Sequence, residues 1–291
     1  MFLSGNTVAE AIIRPAMNRF SLRITVETPV GSASDFLAGH SDLSKSKVKD
    51  AMNKGAVLIR KNGRMQRLRR ATARLNRGDR IEFHYDESVL AIIPPSPILI
   101  SDEGRYSVWH KPAGLMAQGG LYGDHCSLVR QVELFFGCKR EVYPVHRIDR
   151  EAAGIMLLGH SAQAAARLSE LFRENKIIKQ YRVEVRGNMD KAGTGNIIDL
   201  PLDGKEAGTE FRVLSYEADR DISVLDVRLL TGRLHQIRRH LNMIGHPVMG
   251  DPKYGKGNKN REGLRLTAYY LSFRCPIRKM QVEYKVSETP G

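Results

Sequence analysis

The stretch Pro144-Val145-His146-Arg147-Ile148-Asp149-Arg150-Glu151-Ala152-Ala153-Gly154-Ile155-Met156-Leu157-Leu158 places one imidazole, two guanidinium groups and two carboxylates directly before an apolar run. Burying unpaired charge is costly, so polar groups packed this densely against a strand-like segment indicate the floor of a pocket. The residues alone leave a second interpretation open, in which Asp149 pairs with Arg147 or Arg150 in a structural ion network.

Hydrophobic patterning around this stretch predicts a domain with many strands and few helices. Ser161 is a typical N-cap for a helix with Ala164, Leu168 and Leu171 on one side. Strands and helices do not alternate regularly, so the fold class is α+β with a mixed, mainly antiparallel sheet. The predicted strands are 98–100, 106–109, 180–187, 211–214, 223–230, 266–273 and 282–286, and the predicted helices are 127–136, 162–175 and 233–244.

The amino-terminal part predicts a smaller domain built from helices and a hairpin. After a strand at 22–26, a helix begins at Ser34 or Asp35, and a second helix runs from Ser44 to about Asn53. Lys61-Asn62-Gly63 is a strong hairpin turn, and a further strand follows at 80–85.

The best linker in the chain is Pro94-Pro95-Ser96-Pro97, because proline fixes the backbone and cannot donate to a sheet. The sequence therefore predicts an unpatterned leader over residues 1–20, a first domain over 21–93 and a second domain over 98–291.

Positive charge is concentrated in the first domain. Between Lys45 and Arg80 the chain has thirteen Lys and Arg residues, opposed only by Asp50 and Asp79. Such a run could be a solvated face that aids solubility, but its density over a compact helix and hairpin favours phosphate binding.

The net charge, the apolar runs and the cysteines of the whole chain narrow the class of protein. The 291 residues carry a net charge of +14, which indicates a polyanionic partner, either nucleic acid or an anionic membrane surface. No apolar run approaches the length of a membrane span, and we expect no signal peptide. Cys126, Cys138 and Cys275 are scattered, so we expect reduced thiols and a cytoplasmic protein.

Short motifs in the first domain resemble the S-four-type RNA-binding module, named after a small-subunit ribosomal protein. The resemblance covers about residues 33–85 and implies that the basic second helix and the hairpin contact the RNA backbone. The residues expected to do so are Lys45, Lys47, Lys49, Arg60 and Lys61. The motifs are Leu43-Ser44-Lys45-Ser46-Lys47, Gly55-Ala56-Val57, Asn62-Gly63 and Gly78-Asp79-Arg80-Ile81.

A second and more specific resemblance is to the RluA-type pseudouridine synthases, over about residues 98–286. It begins with His146-Arg147-Ile148-Asp149-Arg150-Glu151, which precedes Gly154 and an apolar run. The other matching segments are His110-Lys111-Pro112-Ala113-Gly114, Lys179-Gln180-Tyr181, Gly232-Arg233-Leu234-His235-Gln236-Ile237-Arg238-Arg239-His240-Leu241, Gly245-His246-Pro247 and Gly250-Asp251-Pro252-Lys253-Tyr254-Gly255.

This resemblance implies isomerisation of uridine in RNA, in which the base is detached from its ribose, turned and rejoined through a carbon. Asp149 is then the essential carboxylate, acting as nucleophile or as base toward the ribose. Arg233 matches the cation that keeps this carboxylate ionised. Tyr181 matches the aromatic residue that stacks on the base and helps to remove the proton from its new attachment carbon. Arg147 fills the space that the flipped base leaves or helps to expel the base.

For three other residues of these motifs, two interpretations of their role stay open. His146 could serve as an acid or base, or could hydrogen-bond locally and set the turn. Gln236 and Arg238 support the helix or contact RNA. The resemblance implies no cofactor, and His235, His240 and His246 are spaced unlike a helical zinc motif, so we expect no metal site.

Ribosomal RNA is the expected partner, because the resemblance is to members that carry the S-four-type module, and transfer RNA is second. A non-catalytic RNA-binding or ribosome-assembly factor is the alternative function. A glycosidase using Glu151 as a second acid is a further alternative, which the basic domain disfavours.

The family usually has a hydroxyl pair where this chain has Ala152-Ala153, and we expect altered local packing there without loss of activity.

Overall fold

The structure, a computed structural model, describes residues 10–13, 19–61, 63–189 and 196–287. These residues divide into two compact units. The first unit extends to Pro94 and also includes Gln118–Arg130, while the second comprises Pro95–Ala117 and the chain from Gln131 onward. The sequence-based boundaries had placed Gln118–Arg130 in the second domain. The structure places it in the first unit, because Arg67 and Arg69 bind it there.

The first unit is a five-stranded sheet with short helices. The strand order is β1-β2-β5-β3-β4, and every neighbouring pair is antiparallel. Its elements are β1 (Glu10–Ile13), β2 (Arg19–Thr25), α1 (Ala33–Gly39), α2 (Lys45–Asn53), β3 (Val57–Lys61), β4 (Arg64–Arg67), β5 (Arg80–Asp86) and α3 (Glu87–Leu90).

Apolar side chains from both helices and one face of the sheet form the core of this unit. Leu37 of α1, Val48 of α2 and Phe83 of β5 are completely buried in it. The second helix begins as predicted, with Ser44 as its N-cap. The first begins earlier than predicted, because the Ser32 hydroxyl caps it by accepting a bond from the Asp35 N–H.

Two other predictions for this region have different outcomes. Strand β1 lies inside the stretch that was predicted to be an unpatterned leader, where it pairs with β2. The rest of residues 1–18 lies outside the described residues, as does Asn62 of the predicted hairpin turn. The hairpin itself is present, since β3 and β4 pair antiparallel on either side of that turn.

The second unit is built on a ten-stranded, mostly antiparallel sheet, which confirms the α+β prediction. Eight strands follow the order β11-β12-β13-β10-β14-β9-β7-β6, while β15 pairs with β14 and β8 with β9. Its elements are β6 (Ile98–Asp102), β7 (Tyr106–Lys111), α4 (Leu128–Phe135), β8 (Tyr143–Pro144), β9 (Ala153–Gly159), α5 (Ala162–Arg173), β10 (Ile178–Arg186), β11 (Ile197–Asp199), β12 (Gly208–Glu217), β13 (Ile222–Leu229), α6 (Gln236–Met243), β14 (Leu266–Arg274) and β15 (Gln281–Lys285).

The centre of this sheet is the parallel contact between β9 and β14, where Ala153 and Gly154 lie opposite Thr267 and Ala268. Gly154 has a φ of +126°. A Cβ at Gly154 would lie 2.2 Å from the Ala268 carbonyl oxygen. The close approach of the two strands therefore requires glycine directly after the charged turn.

The last helix begins later than the sequence predicted. Helix α6 starts at Gln236 rather than Arg233, because His235 adopts a left-handed conformation with φ +50°. Arg233 consequently lies in the loop before the helix. By contrast, α5 begins after its Ser161 cap as predicted, and β12 and β13 form the predicted antiparallel pair.

Cys126, Cys138 and Cys275 are all free thiols. Within the described ranges, no helix combines the length and the apolar character that crossing a membrane requires.

We predict that Gly154→Ala destabilises the second unit by roughly 3 kcal/mol, because it adds both a steric overlap and backbone strain. Urea unfolding followed by fluorescence of the single tryptophan, Trp109, measures the change, since Trp109 on β7 lies opposite Met156 of β9. Gly104→Ala is the control: Gly104 has a φ of +73° but open space around it, so this variant should lose only about 1 kcal/mol. Equal losses would contradict the steric argument.

Candidate active site

The charged turn lies between β8 and β9 and is closed by backbone bonds. The Ala152 N–H donates to the Asp149 carbonyl at 3.2 Å. Ala152 itself is 2% exposed and packs in the core of the second unit. Side-chain hydroxyls are therefore not needed to close this turn, which gives a structural basis for the Ala152-Ala153 sequence.

His146 has a local structural role. Its Nε2 accepts a bond from the Leu157 N–H at 3.1 Å, and its ring stacks on Phe172 with the ring centres 4.1 Å apart. Burial, and then the nearby Lys179 charge, lower the pKa of His146 to about 3. The ring is thus neutral and holds the start of the turn against β9, as the second of the two sequence interpretations proposed.

Lys111 supports the turn from the other side, a role that the sequence did not reveal. Its ammonium group is completely buried and donates to the carbonyls of Leu115, Pro112 and Arg150 at 2.7, 2.9 and 3.2 Å. Burial lowers the pKa of Lys111 to about 7, against the opposing attraction of Glu151 and Asp149. The lysine ties the loop that follows β7 to the residue next to Asp149.

Asp149 is paired with Arg238, which lies between two carboxylates. The Arg238 Nη1 donates to Asp149 Oδ2 at 2.8 Å, and its Nε and Nη2 donate to the two oxygens of Asp251, each at 2.7 Å. The side chains of Arg238 and Asp251 are 2% and 0% exposed, whereas Asp149 is 17% exposed. Burial alone would lower the pKa of Arg238, but its bonds to both carboxylates raise it, so it stays charged.

Asp251 therefore anchors the arginine that holds Asp149. Burial alone would raise the pKa of Asp251, but the Arg238 bonds and the N–H groups of Lys253 and Tyr254 lower it overall. A buried guanidinium held by Asp251 thus positions the Asp149 carboxylate at the edge of the solvent.

The resemblance predicted that Arg233 pairs with Asp149, whereas in the structure Asp149 pairs with Arg238. Arg233 is exposed, and its Nε donates to the Glu206 carbonyl at 2.9 Å. Because the helix begins at Gln236, the arginine that faces the turn is Arg238.

Gln236 is 3% exposed and organises the loop before α6. Its Oε1 accepts bonds from the Thr231 hydroxyl and the Arg233 N–H, and its Nε2 donates to the Gly208 carbonyl and the Thr209 hydroxyl. These contacts match the interpretation of Gln236 as helix support.

His235 and Tyr254 join the site, although their positions in the sequence predicted no role there. The Nε2 of His235 lies 3.8 Å from Asp149 Oδ1, and its Nδ1 lies 3.0 Å from the Tyr254 hydroxyl. Burial lowers the pKa of His235 below its ordinary value, despite the opposing attraction of Asp149. The only available signal was the position of His235 inside the motif that contains Arg238.

A cleft of about 670 Å³ opens over Asp149, and Arg147, Tyr181, Arg233 and His235 also line it. Its volume lies within the usual range of small-molecule sites. Burial, and then the Asp149 charge, raise the pKa of the Tyr181 phenol, so the hydroxyl stays protonated. Arg147 is exposed and forms no hydrogen bond or ion pair with any described residue.

The basic residues predicted to contact RNA in the first unit are partly engaged in ion pairs. Lys45 pairs with Asp35 at 3.0 Å and Lys47 with Glu87 at 2.8 Å, in exposed ion pairs. The side chains that remain exposed without a bond to the described residues are Lys49, Arg60 and Lys61.

The histidines considered for a metal site are engaged elsewhere. His240 bonds to the Thr209 hydroxyl and the Leu200 carbonyl, and His246 bonds to the Arg186 carbonyl. Over the described ranges, no group of three His, Cys, Asp or Glu residues is arranged to hold a metal ion.

Comparison with known proteins agrees with this fold. Residues 105–243 match the family model described as RNA pseudouridylate synthase. The human protein RNA Pseudouridylate Synthase Domain Containing 1 has the same fold, with a TM-score of 0.56 and 21% identity, covering 67% of this chain and 86% of that one. The fold is thus that of a pseudouridylate synthase.

Two sequence relatives define the family. An uncharacterized RNA pseudouridine synthase of Aquifex aeolicus is 30% identical, over 92% of this chain and 93% of its own. The ribosomal large subunit pseudouridine synthase D of Zymomonas mobilis is 29% identical, over 65% of this chain and 68% of its own. The chain belongs to the RNA pseudouridine synthases of the RluA type, isomerases that convert uridine in RNA to pseudouridine.

We predict that Arg238→Met lowers the free energy of unfolding by about 3–5 kcal/mol, because it leaves the Asp251 carboxylate buried without its partner. Arg233→Met is the matched control and should cost less than about 1 kcal/mol, since it removes only one exposed bond to a carbonyl. Urea unfolding of the two variants measures both changes. If Arg233→Met lowered the free energy of unfolding more than Arg238→Met, Arg233 would again be the better candidate for the partner of Asp149.

Proposed function

We propose that this protein isomerises uridines in ribosomal RNA and that Asp149 is the catalytic carboxylate. The observation that carries the proposal is the ion pair between Asp149 and the buried Arg238 at the base of a cleft. One carboxylate oxygen is held by Arg238, and the other lies on the side of His235. This arrangement holds a carboxylate in a fixed position at the base of the cleft, where it can act on a ribose.

In the proposed reaction, Asp149 acts on the sugar of a flipped nucleotide, either as nucleophile or as base. The bond between ribose and the base nitrogen breaks, the base turns, and a carbon of the base bonds to the same ribose position. That carbon loses its proton and the freed nitrogen gains one, so the composition of the RNA is unchanged. The reaction is internally balanced and calls for no oxidant or co-reactant.

Tyr181 and Arg147 supply the contacts that a flipped base requires. The partly buried ring of Tyr181 lines the cleft beside Asp149, where it can stack on the uracil. The exposed Arg147 precedes Asp149 by two residues and is free to enter the space left in the RNA helix. Arg238 takes the positioning role that the sequence had given to Arg233.

The choice of ribosomal RNA is supported by the name of the Zymomonas relative and by the charge of the first unit. An S-four-type module in that unit remains our interpretation of its motifs. Its exposed basic side chains, including Lys49, Arg60 and Lys61, suit a structured RNA with closely spaced phosphates.

We predict that Asp149→Asn reduces pseudouridine formation by at least about 10³-fold, because an amide is neither a nucleophile nor a base. Pseudouridine mapping of total RNA, from cells with the wild-type chain or the variant, measures the loss. The expected result is that specific ribosomal RNA positions become unmodified. Asp203→Asn, an exposed carboxylate paired with Arg239, is the matched control and should retain the modification.

Each outcome of this mapping has a defined meaning. If pseudouridine were lost only from transfer RNA, the substrate would be transfer RNA instead of ribosomal RNA, and the catalytic assignment of Asp149 would stand. Full modification with Asp149→Asn would reject the catalytic assignment and favour a non-catalytic RNA-binding factor on the same fold.

A second pair of variants tests Tyr181. Tyr181→Leu removes the aromatic ring and the hydroxyl, so we expect a higher KM and a lower kcat. Tyr181→Phe keeps the ring, so we expect KM within about twofold of the wild type and a lower kcat. Steady-state kinetics of pseudouridine formation on an unmodified RNA fragment that contains the target uridine measures both constants. Equal KM values for the two variants would contradict a stacking role.

A further inference from the structure

The sheet of the first unit has a second face, opposite the helices. Alternate residues of β5 point away from the core, and these are Arg80, Glu82 and His84. Their cross-strand neighbours on β2 are Thr25, Arg23 and Ser21. This outer face therefore carries polar and basic side chains along its whole length.

One half of the outer face is already covered by residues 118–130. Tyr122 contacts the His84 ring and lies under the Arg19 guanidinium, 4.5 Å from its carbon. Arg67 donates to the Gly120 carbonyl at 2.6 Å, and Arg69 pairs with Asp124. These arginines belong to the basic run but are used to hold the segment in place.

The other half is an uncovered groove of about 480 Å³ between β2, β5 and the β3–β4 hairpin. Arg60 and Arg80 face each other directly across β3 and β5 and both line this groove. Neither guanidinium group forms an ion pair or a hydrogen bond with a described residue. Like charges directly opposite each other in a sheet are destabilising, so this pair weakens the free protein unless an anion lies between them.

The carboxylates nearby do not neutralise the Arg60–Arg80 pair. Glu82 lines the groove but is bonded to Arg23 at 3.5 Å and to His84 at 3.2 Å. Glu27 also lines the groove and is exposed at its edge.

A second pair of like charges follows along the same hairpin. Lys61 lies opposite Arg64, and both are exposed. Because successive side chains of a strand point to opposite faces, Lys61 and Arg64 point away from the groove that Arg60 and Arg80 line. The groove therefore presents one pair of facing arginines, which suits one phosphate of a polyanion.

We propose that this groove is a binding site for the sugar–phosphate backbone of RNA, with one phosphate held between Arg60 and Arg80. Guanidinium groups bind phosphate oxygens through two parallel N–H bonds, so two facing arginines can share one phosphate. Met65, which lies opposite Arg60 and is 37% exposed, adds an apolar edge against which a ribose can pack. The proposal rests on RNA being the substrate and adds a surface distinct from the helical face around α2.

The test compares Arg60→Gln and Arg80→Gln with the wild type in binding to a short fluorescein-labelled RNA duplex at several salt concentrations. Each variant should bind about tenfold more weakly at low salt, and the slope of log K against log salt should fall by about one. Arg77→Gln is the matched control, because Arg77 belongs to the same basic run and is exposed outside the groove. It should change the affinity by less than about twofold.

A stability measurement separates binding from a structural role. Removing one of two repelling charges should leave the thermal midpoint of the free protein unchanged or raise it by about 1–3 °C. A lower midpoint would mean that the arginines stabilise the sheet, and would overturn the proposal.

Three other outcomes also reject the proposal. The groove variants could bind RNA as tightly as the wild type, or Arg77→Gln could lose as much RNA affinity as they do. The groove variants could also bind a poly-glutamate peptide more weakly while their RNA affinity stays unchanged. The readout is binding and not pseudouridine formation. A failure here is therefore distinguishable from a failure of the Asp149 assignment.

Discussion

The buried guanidinium of Arg238, held between Asp251 and Asp149, is the constraint on which the site depends. Charges removed from water are costly unless each is paired and hydrogen-bonded. Asp251 meets this condition with both oxygens and leaves one nitrogen of Arg238 for Asp149. The pairing fixes α6 against the turn after β8, and it holds the Asp149 carboxylate in place where the cleft reaches solvent.

The backbone around Asp149 is held independently of that ion pair. The Ala152 N–H closes the turn, Gly154 allows β9 to approach β14, and Lys111 binds the Arg150 carbonyl. Rigid support of this kind limits how far a carboxylate can move from its working position. It also gives a reason why two alanines can follow Glu151, since the bond that closes the turn comes from the main chain.

In the first unit, several cations of the basic run are already bonded to other residues, so the unpaired cations are fewer than the sequence suggests. Arg67 and Arg69 belong to the basic run but bind the 118–130 segment, and Lys47 is paired with Glu87. Arg60 and Arg80, twenty residues apart, become direct neighbours across two strands. Counting charges identifies the domain in which the cations are concentrated, but strand register decides which of them face each other.

The sequence by itself determined the α+β class, the helix after Ser161, the β12–β13 pair and the family, because these follow from local periodicity, capping and motif spacing. It also singled out Asp149. Only the tertiary structure decided that Arg238, rather than Arg233, holds this carboxylate, and that His235, Tyr254 and Lys111 belong to the site. One left-handed residue, His235, delays the start of α6 and so changes which side chains face the turn. Contacts between residues far apart in the chain depend on such backbone details, which sequence periodicity does not encode.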